Sequence, residues 1–551
     1  MATPRYQDDK LISFHVPSFS KGYNSYSQSN TQVDDQEIPQ GSTAAQNVIL
    51  DQNGGASKRA GSIRFSAQLA SGHSVYGLGV LKNTSFNKLI AVSNTAWYAV
   101  GSGTASALTG VSFTADKPTD FTQSIDRLYG ANGTDNLAYT SDGSTLTSVS
   151  SNGNIGRWPV SYNRRIYMTN TSNPDRIYYS NPYGIDLTTN PVTYSTTYFG
   201  TFDTDLSTTI AGGNKKNAGF IILLPGGGVE ITRLMLDNTS GVDYIYAYTK
   251  RHGIWRIAYA STNSDGTLVH TVQQINNFIG SPAGRSIVKV GNDQYFYGVD
   301  NIYTLGEVAT FANIRVSQKA ARIQSEINSI ANTGRTGVAA GFYKNRIYYA
   351  YQVGTVNDRI LVYDTTLNAW STPLLGINAS SFISWEDDSN VIHFLAGSSS
   401  TSASYVYELD SGLNDNGAAV NSFFTTKSYD GQKPGLIKRF AFIDVFYALV
   451  YGTLTYEVFV DEVSSITGSL QLGSSSTSTS GIGSQPIGNF PVGGEYSGTQ
   501  STLLRSGSFR IDCGYTAGKN ISVKFSNANV DENFRITALK AYYLEGEIYE
   551  Q

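Results

Sequence analysis

The sequence has few of the residues that cross-link, charge or anchor a protein. Its 551 residues include one cysteine and three methionines, and only 15% are charged, against about a quarter in typical globular proteins. With Cys513 alone, no intrachain disulfide can form, and we expect it to be a small buried residue of a strand rather than a nucleophile. No run of eighteen apolar residues predicts a membrane span, and the N-terminus has no apolar signal core. We therefore expect synthesis in the cytoplasm without export by that route.

The charge balance is mildly acidic, with a formal net charge of −4. Tight electrostatic binding to nucleic acid normally needs a basic face, so this total argues against such binding as the main role. A wall past which DNA slides would also avoid a basic lining, because strong phosphate contacts would retard the DNA. Net charge does not separate these two interpretations.

The residues that are abundant favour strands and turns. The chain contains 55 glycines, 37 tyrosines and 25 phenylalanines, a composition that suits pleated, half-buried surfaces joined by many turns. From about residue 65, units of an apolar strand, a short Asn/Gly/Asp turn and an aromatic-rich strand recur at roughly 40 to 60 residues, the spacing of propeller blades. The sequence therefore predicts an all-β fold with a six- or seven-bladed β-propeller.

An Arg-Ile-Tyr element recurs in these units, at Arg165–Tyr167, Arg176–Tyr178 and Arg346–Tyr348. Alternation with period two places Ile on one face of a strand and its neighbours on the other. Because blades stack face to face, the middle strands of a propeller need bulky residues on both faces. The element therefore predicts middle strands and accounts for the many tyrosines.

Changes of composition predict three regions. Residues 1–45 are polar and weakly periodic and form an N-terminal arm, residues 46–425 form the propeller, and residues 426–551 form a small C-terminal β-sandwich or jelly-roll domain. The last region contains a mobile Gly/Ser/Thr loop at about 473–500. Helical spacing of apolar residues over Val316–Ile330 predicts a surface helix between blades.

The stretch Asn47–Ile63 predicts a strand, a tight turn and a second strand at the start of the propeller. Asp51–Gly55 supplies residues that adopt positive φ at low cost. Lys58 and Arg59 follow on the outgoing strand. They are the candidate contacts to DNA or to another subunit, although a solvated or strand-pairing role explains them at least as well.

Signs of catalysis are weak. The five histidines do not share metal-ligand spacing, no phosphate-binding glycine loop opens a helix, and no metal or cofactor is expected. Two Asp-Gly stretches, at 141–146 and 264–268, resemble the aspartate boxes of glycoside-cleaving propellers but lack their tryptophan, so plain hairpin turns are expected. The carboxylates that could form a glycosidase pair are Asp126, Asp203, Asp205, Asp243 and Glu386. The tryptophans that could bind a sugar, with core packing as the default, are Trp97, Trp158, Trp255, Trp370 and Trp385.

Several segments in order resemble one family of virion proteins. They are Gln46–Gly61, with its Asn-Val, Gly-Gly and Lys-Arg-x-Gly elements; Val75–Leu78 with Leu89–Tyr98; Arg176–Pro182; and Arg285–Leu305. Together they resemble the β-propeller tail proteins of short-tailed bacteriophages, of the tail nozzle or packaged-DNA stabilisation type. The resemblance covers about residues 40 to 410 and is carried by the order of the segments.

The resemblance implies a non-enzymatic structural role in the virion tail. Such proteins form a ring, typically a hexamer, that continues the DNA channel, holds the packaged genome and supports fibres or host attachment. The expected partners are other copies of the chain, the tail adaptor and portal-side proteins, tail fibres, DNA passing without sequence-specific binding, and the host cell surface. The alternative is a propeller that binds or hydrolyses host surface glycans, as a receptor-binding protein or depolymerase.

Overall fold

The chain divides into two compact β units. The computed structural model describes residues 11–25, 34–39, 45–149, 155–180, 219–223, 228–238, 243–263, 268–308, 313–450, 452–472 and 505–545. The first unit, here the sandwich unit, comprises Met1–Gly61, Thr366–Pro373 and Gly412–Gln551. The second, the propeller unit, comprises Ser62–Thr365 and Leu374–Ser411. No helix in the described ranges is long and apolar enough to cross a membrane.

The sandwich unit begins with five short strands. They are β1 (Ile12–Val16), β2 (Gly22–Asn24), β3 (Glu37–Pro39), β4 (Val48–Leu50) and β5 (Ala56–Lys58). The strands β4 and β5 form the hairpin that the sequence predicts, with the turn at Asp51–Gly55 closed by hydrogen bonds to the Asp51 carboxylate. The side chain of Asp51 thus supplies the local partner that such turns need.

The propeller unit consists of seven antiparallel sheets, or blades. Blade one contains β7 (Val75–Lys82), β8 (Asn87–Ser93), β9 (Ala96–Gly101) and β10 (Thr104–Ala107). Blade two contains β11 (Asp120–Ser124), β12 (Arg127–Ala131), β13 (Ala138–Thr140) and β14 (Thr147–Ser148). Blade three contains β15 (Gly156–Tyr162), β16 (Arg165–Asn170), β17 (Arg176–Tyr179) and β18 (Gly219–Ile222). Blade four contains β19 (Ile231–Asp237), β20 (Tyr244–Thr249), β21 (Ile254–Thr262) and β22 (Leu268–Asn276). Blade five contains β23 (Val288–Val290), β24 (Asp293–Tyr297), β25 (Ile302–Val308) and β26 (Asn313–Gln318). Blade six contains β27 (Ala339–Tyr343), β28 (Arg346–Gln352), β29 (Asn357–Asp364) and, after β30 (Ala369–Trp370) of the sandwich unit, β31 (Leu374–Leu375).

Blade seven closes the ring with a strand from the other end of the unit. It contains β32 (Ala379–Glu386), β33 (Ile392–Ser398) and β34 (Val406–Leu409), and its fourth strand is β6 (Ser62–Arg64). The first strands of neighbouring blades lie next to each other from blade one to blade four and from blade five to blade seven, and β32 lies next to β7. Between blades four and five, β19 contacts the 3₁₀ turn Gly284–Ser286 that precedes β23, and the two blades share a buried cluster that includes Tyr248 and Phe296. The ring is therefore closed, and the predicted six or seven blades are seven.

The hydrophobic core lies between neighbouring blades. Blades three and four share a cluster that includes Trp158, Tyr167 and Trp255, and blades seven and one share a cluster around Phe65 and Trp385. In the Arg-Ile-Tyr strands both the isoleucines and the tyrosines are buried, as the prediction for middle strands requires. All five tryptophans are buried, which confirms core packing as their role.

The predicted helix at Val316–Ile330 is shorter than expected. Residues up to Gln318 continue β26, and the helix α1 covers Gln324–Ser329 after a 3₁₀ turn at Ala321–Ile323. Further 3₁₀ turns cover Gly284–Ser286 and Asn332–Gly337. The hydrogen bonds of β26 with β25 override the helical spacing of the apolar residues at the start of this segment.

Two larger sheets complete the sandwich unit. Its remaining strands are β35 (Asn414–Asp415), β36 (Ala418–Ala419), β37 (Ser422–Thr425), β38 (Lys438–Val450), β39 (Gly452–Val460), β40 (Val463–Leu472), β41 (Arg505–Gly518), β42 (Ile521–Asn527) and β43 (Arg535–Glu545). One sheet has the order β4-β5-β43-β38-β41 with β1 paired to β43, and the other has the order β37-β42-β39-β40. Aromatic rings from both sheets meet, as in the pair Tyr456 and Phe509. Cys513 is buried in β41, as expected, and burial raises the pKa of its thiol to about 12.

The boundaries of the units differ from those predicted at 45 and 425. The segment Ile12–Val16 pairs with β43, and so does β5, so the N-terminal residues and the β4–β5 hairpin belong to the sandwich unit. The propeller unit starts at Ser62 and ends at Ser411. The boundaries differ because strands near the N-terminus pair with a strand near the C-terminus, and composition does not reveal such long-range pairing. The Gly/Ser/Thr loop predicted at 473–500 lies outside the described residues.

Candidate functional site

Four charged side chains of the propeller unit meet beside the central channel, which the innermost strands line. The Asp120 cluster, as we call it, consists of Asp120 of blade two, Arg157 of blade three, Arg233 of blade four and Arg285 of the 3₁₀ turn before blade five. Asp120, Arg157 and Arg233 lie within the first three residues of β11, β15 and β19, the innermost strands of their blades. The four side chains therefore share one end of the channel.

The Asp120 carboxylate lies within ion-pair distance of three guanidinium groups. Asp120 Oδ2 accepts a hydrogen bond from Arg157 Nη2 at 3.2 Å, and Oδ1 accepts one from Arg285 Nε at 3.1 Å. Arg233 Nη1 lies 3.9 Å from Oδ1, which is ion-pair range but too long for a hydrogen bond. With three positive charges and one negative charge, the cluster has a formal charge of +2.

Arg285 crosses the channel. Its Nη2 donates to the carbonyl oxygens of Tyr76 at 2.6 Å and Thr119 at 2.9 Å, which belong to the segments of blades one and two. A side chain that starts before blade five thus connects to the opposite side of the ring. Its donors are largely committed to protein acceptors.

Trp158 fixes the other two arginines. The guanidinium carbons of Arg157 and Arg233 lie 4.6 and 5.0 Å from the Trp158 ring centre, at cation–π distance. Trp158 has a φ of 56°, at a bulge of β15. Gly284 leaves room for the ring, because a Cβ there would lie 2.5 Å from a Trp158 ring atom and 1.9 Å from the Thr232 carbonyl oxygen. Trp158 therefore supports both guanidinium groups from one side.

Electrostatics keep Asp120 ionised. Burial by itself raises the pKa of Asp120, but the attraction of Arg285, Arg157 and Arg233 outweighs burial and lowers the pKa below its ordinary value. Burial also lowers the pKa of Arg233, although Asp120 opposes this change. The cluster therefore keeps its excess positive charge at neutral pH.

Lys58 and Arg59, the predicted contact residues, lie inside the sandwich unit. Lys58 Nζ donates to Asn527 Oδ1 at 2.7 Å and to the Asn529 carbonyl at 3.0 Å. Arg59 forms an ion pair with Asp415, and its Nε donates to Asn47 Oδ1 at 2.9 Å. Both side chains are buried. Within this chain they pair elements of one unit, and a contact to DNA or to another subunit stays a prediction.

The other candidates for chemistry do not converge on one site. Asp126 and Glu386 form ion pairs with Arg127 and Lys82, and Asp243 contributes its backbone carbonyl to Tyr162. Asp203 and Asp205 lie outside the described residues. In the described ranges no group of three or more His, Cys, Asp or Glu could hold a metal ion.

The first Asp-Gly stretch is a local turn. The Asp142 carboxylate accepts hydrogen bonds from the backbone N–H groups of Ser144 and Thr145 at 2.8 and 2.9 Å. Both bonds end on Oδ1, and Oδ2 accepts a further hydrogen bond from the Thr145 hydroxyl at 2.8 Å, so the carboxylate is engaged within its own turn. The hairpin-turn interpretation is therefore confirmed for residues 141–146, and the second stretch lies largely outside the described residues.

Comparisons with known proteins give no family. No family model matches the chain, and no curated protein matches it. Among solved structures, it is similar to the extracellular domain of a candidate one component system from B. thetaiotaomicron, at 8% identity and a TM-score of 0.38 over 76% of this chain and 49% of that domain. The chain thus spans about half the length of that domain.

Two further structures are similar at the same level. BamB from Moraxella catarrhalis has 9% identity and a TM-score of 0.30, with 67% of this chain and 95% of that chain covered. A 6-phosphogluconolactonase candidate from Bacteroides fragilis has 10% identity and a TM-score of 0.34, with 61% and 94% covered. At these TM-scores the likenesses carry no argument about function, and the propeller assignment rests on the seven sheets and their closure.

Proposed function

We propose that the chain is a structural component of a bacteriophage tail, a ring-forming nozzle or hub protein without enzymatic activity. The observation that carries the proposal is the order of the four phage-tail-like segments along the sequence. Their described parts belong to regular elements: the β4–β5 hairpin, strands of blades one and three, and the region from the 3₁₀ turn to β25 of blade five. A seven-bladed propeller joined to a β-sandwich is compatible with this role.

The surface offers positions for contacts between subunits. Phe278 after β22 is 82% exposed and Val463 at the start of β40 is 68% exposed. Both β22 and β40 are edge strands of their described sheets, with unpaired backbone groups on one side. Exposed apolar residues beside open strand edges favour association. We propose a hexamer that continues the DNA channel and contacts the adaptor, the portal-side proteins and the fibres in the virion.

Purified virions provide the test. Mass spectrometry and cryo-electron microscopy should find this chain in a fixed multiple of six copies at the tail end, around the DNA channel. Recombinant chain should leave capsular polysaccharide intact under conditions in which a known depolymerase degrades it. A free monomer that cleaves such polysaccharide would contradict the proposal and establish the glycan-directed alternative.

A further inference from the structure

The Asp120 cluster has hydrogen-bond donors with no acceptor among the residues that the structure describes. In the part of the chain that the structure describes, Arg233 donates no hydrogen bond to a protein acceptor, and its nearest carboxylate oxygen is 3.9 Å away. Arg157 donates one hydrogen bond to Asp120, and its Nε has no hydrogen-bond partner among the described residues. Unused donors on a half-buried guanidinium are costly, because water satisfies them only in part.

The two arginines combine access with fixed orientation. The side chains of Arg157 and Arg233 are 34% and 30% exposed, so solvent reaches part of each side chain. Trp158 lies close to both groups and sets their positions, while Arg285 stays engaged with Tyr76 and Thr119. A planar guanidinium presents its donors as a fork that matches the paired oxygens of an oxyanion.

We propose that the Asp120 cluster is a binding site for a small tetrahedral oxyanion of the phosphate type. The anion accepts hydrogen bonds from Arg157 and Arg233 at the channel end formed by the starts of β15 and β19. A divalent oxyanion balances the formal charge of +2 that Asp120 leaves uncompensated. The inference concerns the propeller unit alone and stands whether or not the chain is a tail protein.

Thermal unfolding of the full chain at constant ionic strength tests the site. Sodium phosphate and sodium sulfate should raise the melting temperature of the wild type above its value in sodium chloride, because a ligand that binds the folded state stabilises it. In Arg233→Gln and Arg157→Gln the half-saturating phosphate concentration should rise about tenfold or more, since each loses a charge-assisted hydrogen-bond donor.

Arg256→Gln is the matched control. Arg256 also lies over an aromatic ring, with its guanidinium carbon 4.6 Å from the Tyr244 ring centre, and it donates to Gln273 outside the Asp120 cluster. Its phosphate response should equal that of the wild type. Equal losses in the Arg233 and Arg256 variants would overturn the proposal.

A second measurement does not depend on how the variants fold. Equilibrium dialysis of the wild type against radiolabelled phosphate should give one bound phosphate per chain, displaced by sulfate and not by chloride. A short single-stranded oligonucleotide without terminal phosphate should not displace it. Absence of phosphate binding, or displacement by the oligonucleotide alone, would refute a site for a free oxyanion.

Discussion

Lys58 and Arg59 are adjacent buried cations that the fold neutralises in different ways. Arg59 has the carboxylate of Asp415 beside it, whereas Lys58 Nζ donates to the amide oxygen of Asn527 and the carbonyl oxygen of Asn529, neither of which carries a charge. Burial accordingly lowers the pKa of Lys58 to about 8, although Glu532 opposes the change. A group whose pKa is depressed in the folded state binds its proton more weakly there than in the unfolded chain.

Lys58→Met should abolish a pH dependence of stability. In the wild type the folded state releases the Lys58 proton near pH 8, while the unfolded chain retains it until about pH 10.5, so stability rises with pH inside this window. Relative to Lys58→Met, the wild type should gain about 1–2 kcal/mol between pH 7 and 10, after allowance for solvent screening. Urea unfolding at several pH values measures the difference.

The exposed Lys519 supplies the control for this experiment. Lys519→Met makes the same substitution at an exposed position and should leave the difference between wild type and Lys58→Met unchanged. A parallel pH profile of wild type and Lys58→Met would show that Lys58 titrates normally and would contradict the prediction.

His393 should contribute stability at acidic pH. Its ring nitrogens lie 2.8 Å from Glu408 Oε1 and 3.3 Å from Asp387 Oδ2, and these carboxylates outweigh burial and raise its pKa. The contribution is therefore complete below about pH 6.5 and disappears as pH rises through the folded-state pKa. His393→Gln should lose at most about 1 kcal/mol at pH 5.5 and less at pH 8.

Melting temperatures of wild type and His393→Gln from pH 5.5 to 8 measure this change. His73→Gln is the control, because among the described residues His73 pairs with one carboxylate, that of the exposed Asp116, instead of two. A gap between wild type and His393→Gln that widens with rising pH would reverse the expected sign and refute the prediction.

Among the elements, the three-residue strand β6 closes the ring of blades. It provides the fourth strand of blade seven, and Phe65 just after it donates to the Val406 carbonyl at 2.8 Å. Phe65 also packs against Trp385 with ring centres 5.9 Å apart. The strand thus joins the first and last parts of the propeller unit through both hydrogen bonds and core packing.

Ile63→Pro should disrupt the pairing of β6 with β34 in blade seven. Proline removes the backbone N–H at the centre of β6, opposite Glu408, and should cost about 3 kcal/mol of stability. Ile63→Ala keeps the N–H and removes only a partly exposed side chain, so it should have little effect. Hydrogen exchange of β34 amides should accelerate in the proline variant alone, and equal exchange in the two variants would argue against a closing role for β6.

The sequence predicted the type of fold but not the number of blades. Repeated strand patterns predicted the propeller because period-two alternation is a local property. The number of blades stayed at six or seven because strands such as β14 and β31 have two residues, and because the last blade takes its fourth strand from Ser62–Arg64. Pairing between distant segments leaves no local pattern.

The sequence did not predict the Asp120 cluster, because its residues also come from distant segments. Asp120, Arg157, Arg233 and Arg285 are far apart in sequence and share no motif. What they share is a position at or just before the start of a blade, which becomes visible only when the strand boundaries are known. Lys58 and Arg59 stood out as an adjacent pair, but adjacency in sequence says nothing about burial.

At the scale of the whole molecule, the proposed ring depends on surfaces that one chain leaves open. Phe278→Ser should weaken assembly of the recombinant chain, because it removes an exposed ring whose burial stabilises a contact by about 1.5–3 kcal/mol. The association constant should fall about tenfold or more in mass photometry. Phe278→Tyr keeps most of the apolar area and should assemble like the wild type. Unchanged assembly of Phe278→Ser would place the subunit contact elsewhere.

Closure of blade seven by β6 also sets an order of events during synthesis. Ser62 and its partner Leu409 are separated by about 350 residues. At about 5–20 residues per second, β6 leaves the ribosome tens of seconds before its partner strand exists. Through that interval the nascent chain carries an unpaired strand, and the other six blades can form before the ring is locked. The propeller unit therefore completes its fold only after nearly all of it has been translated.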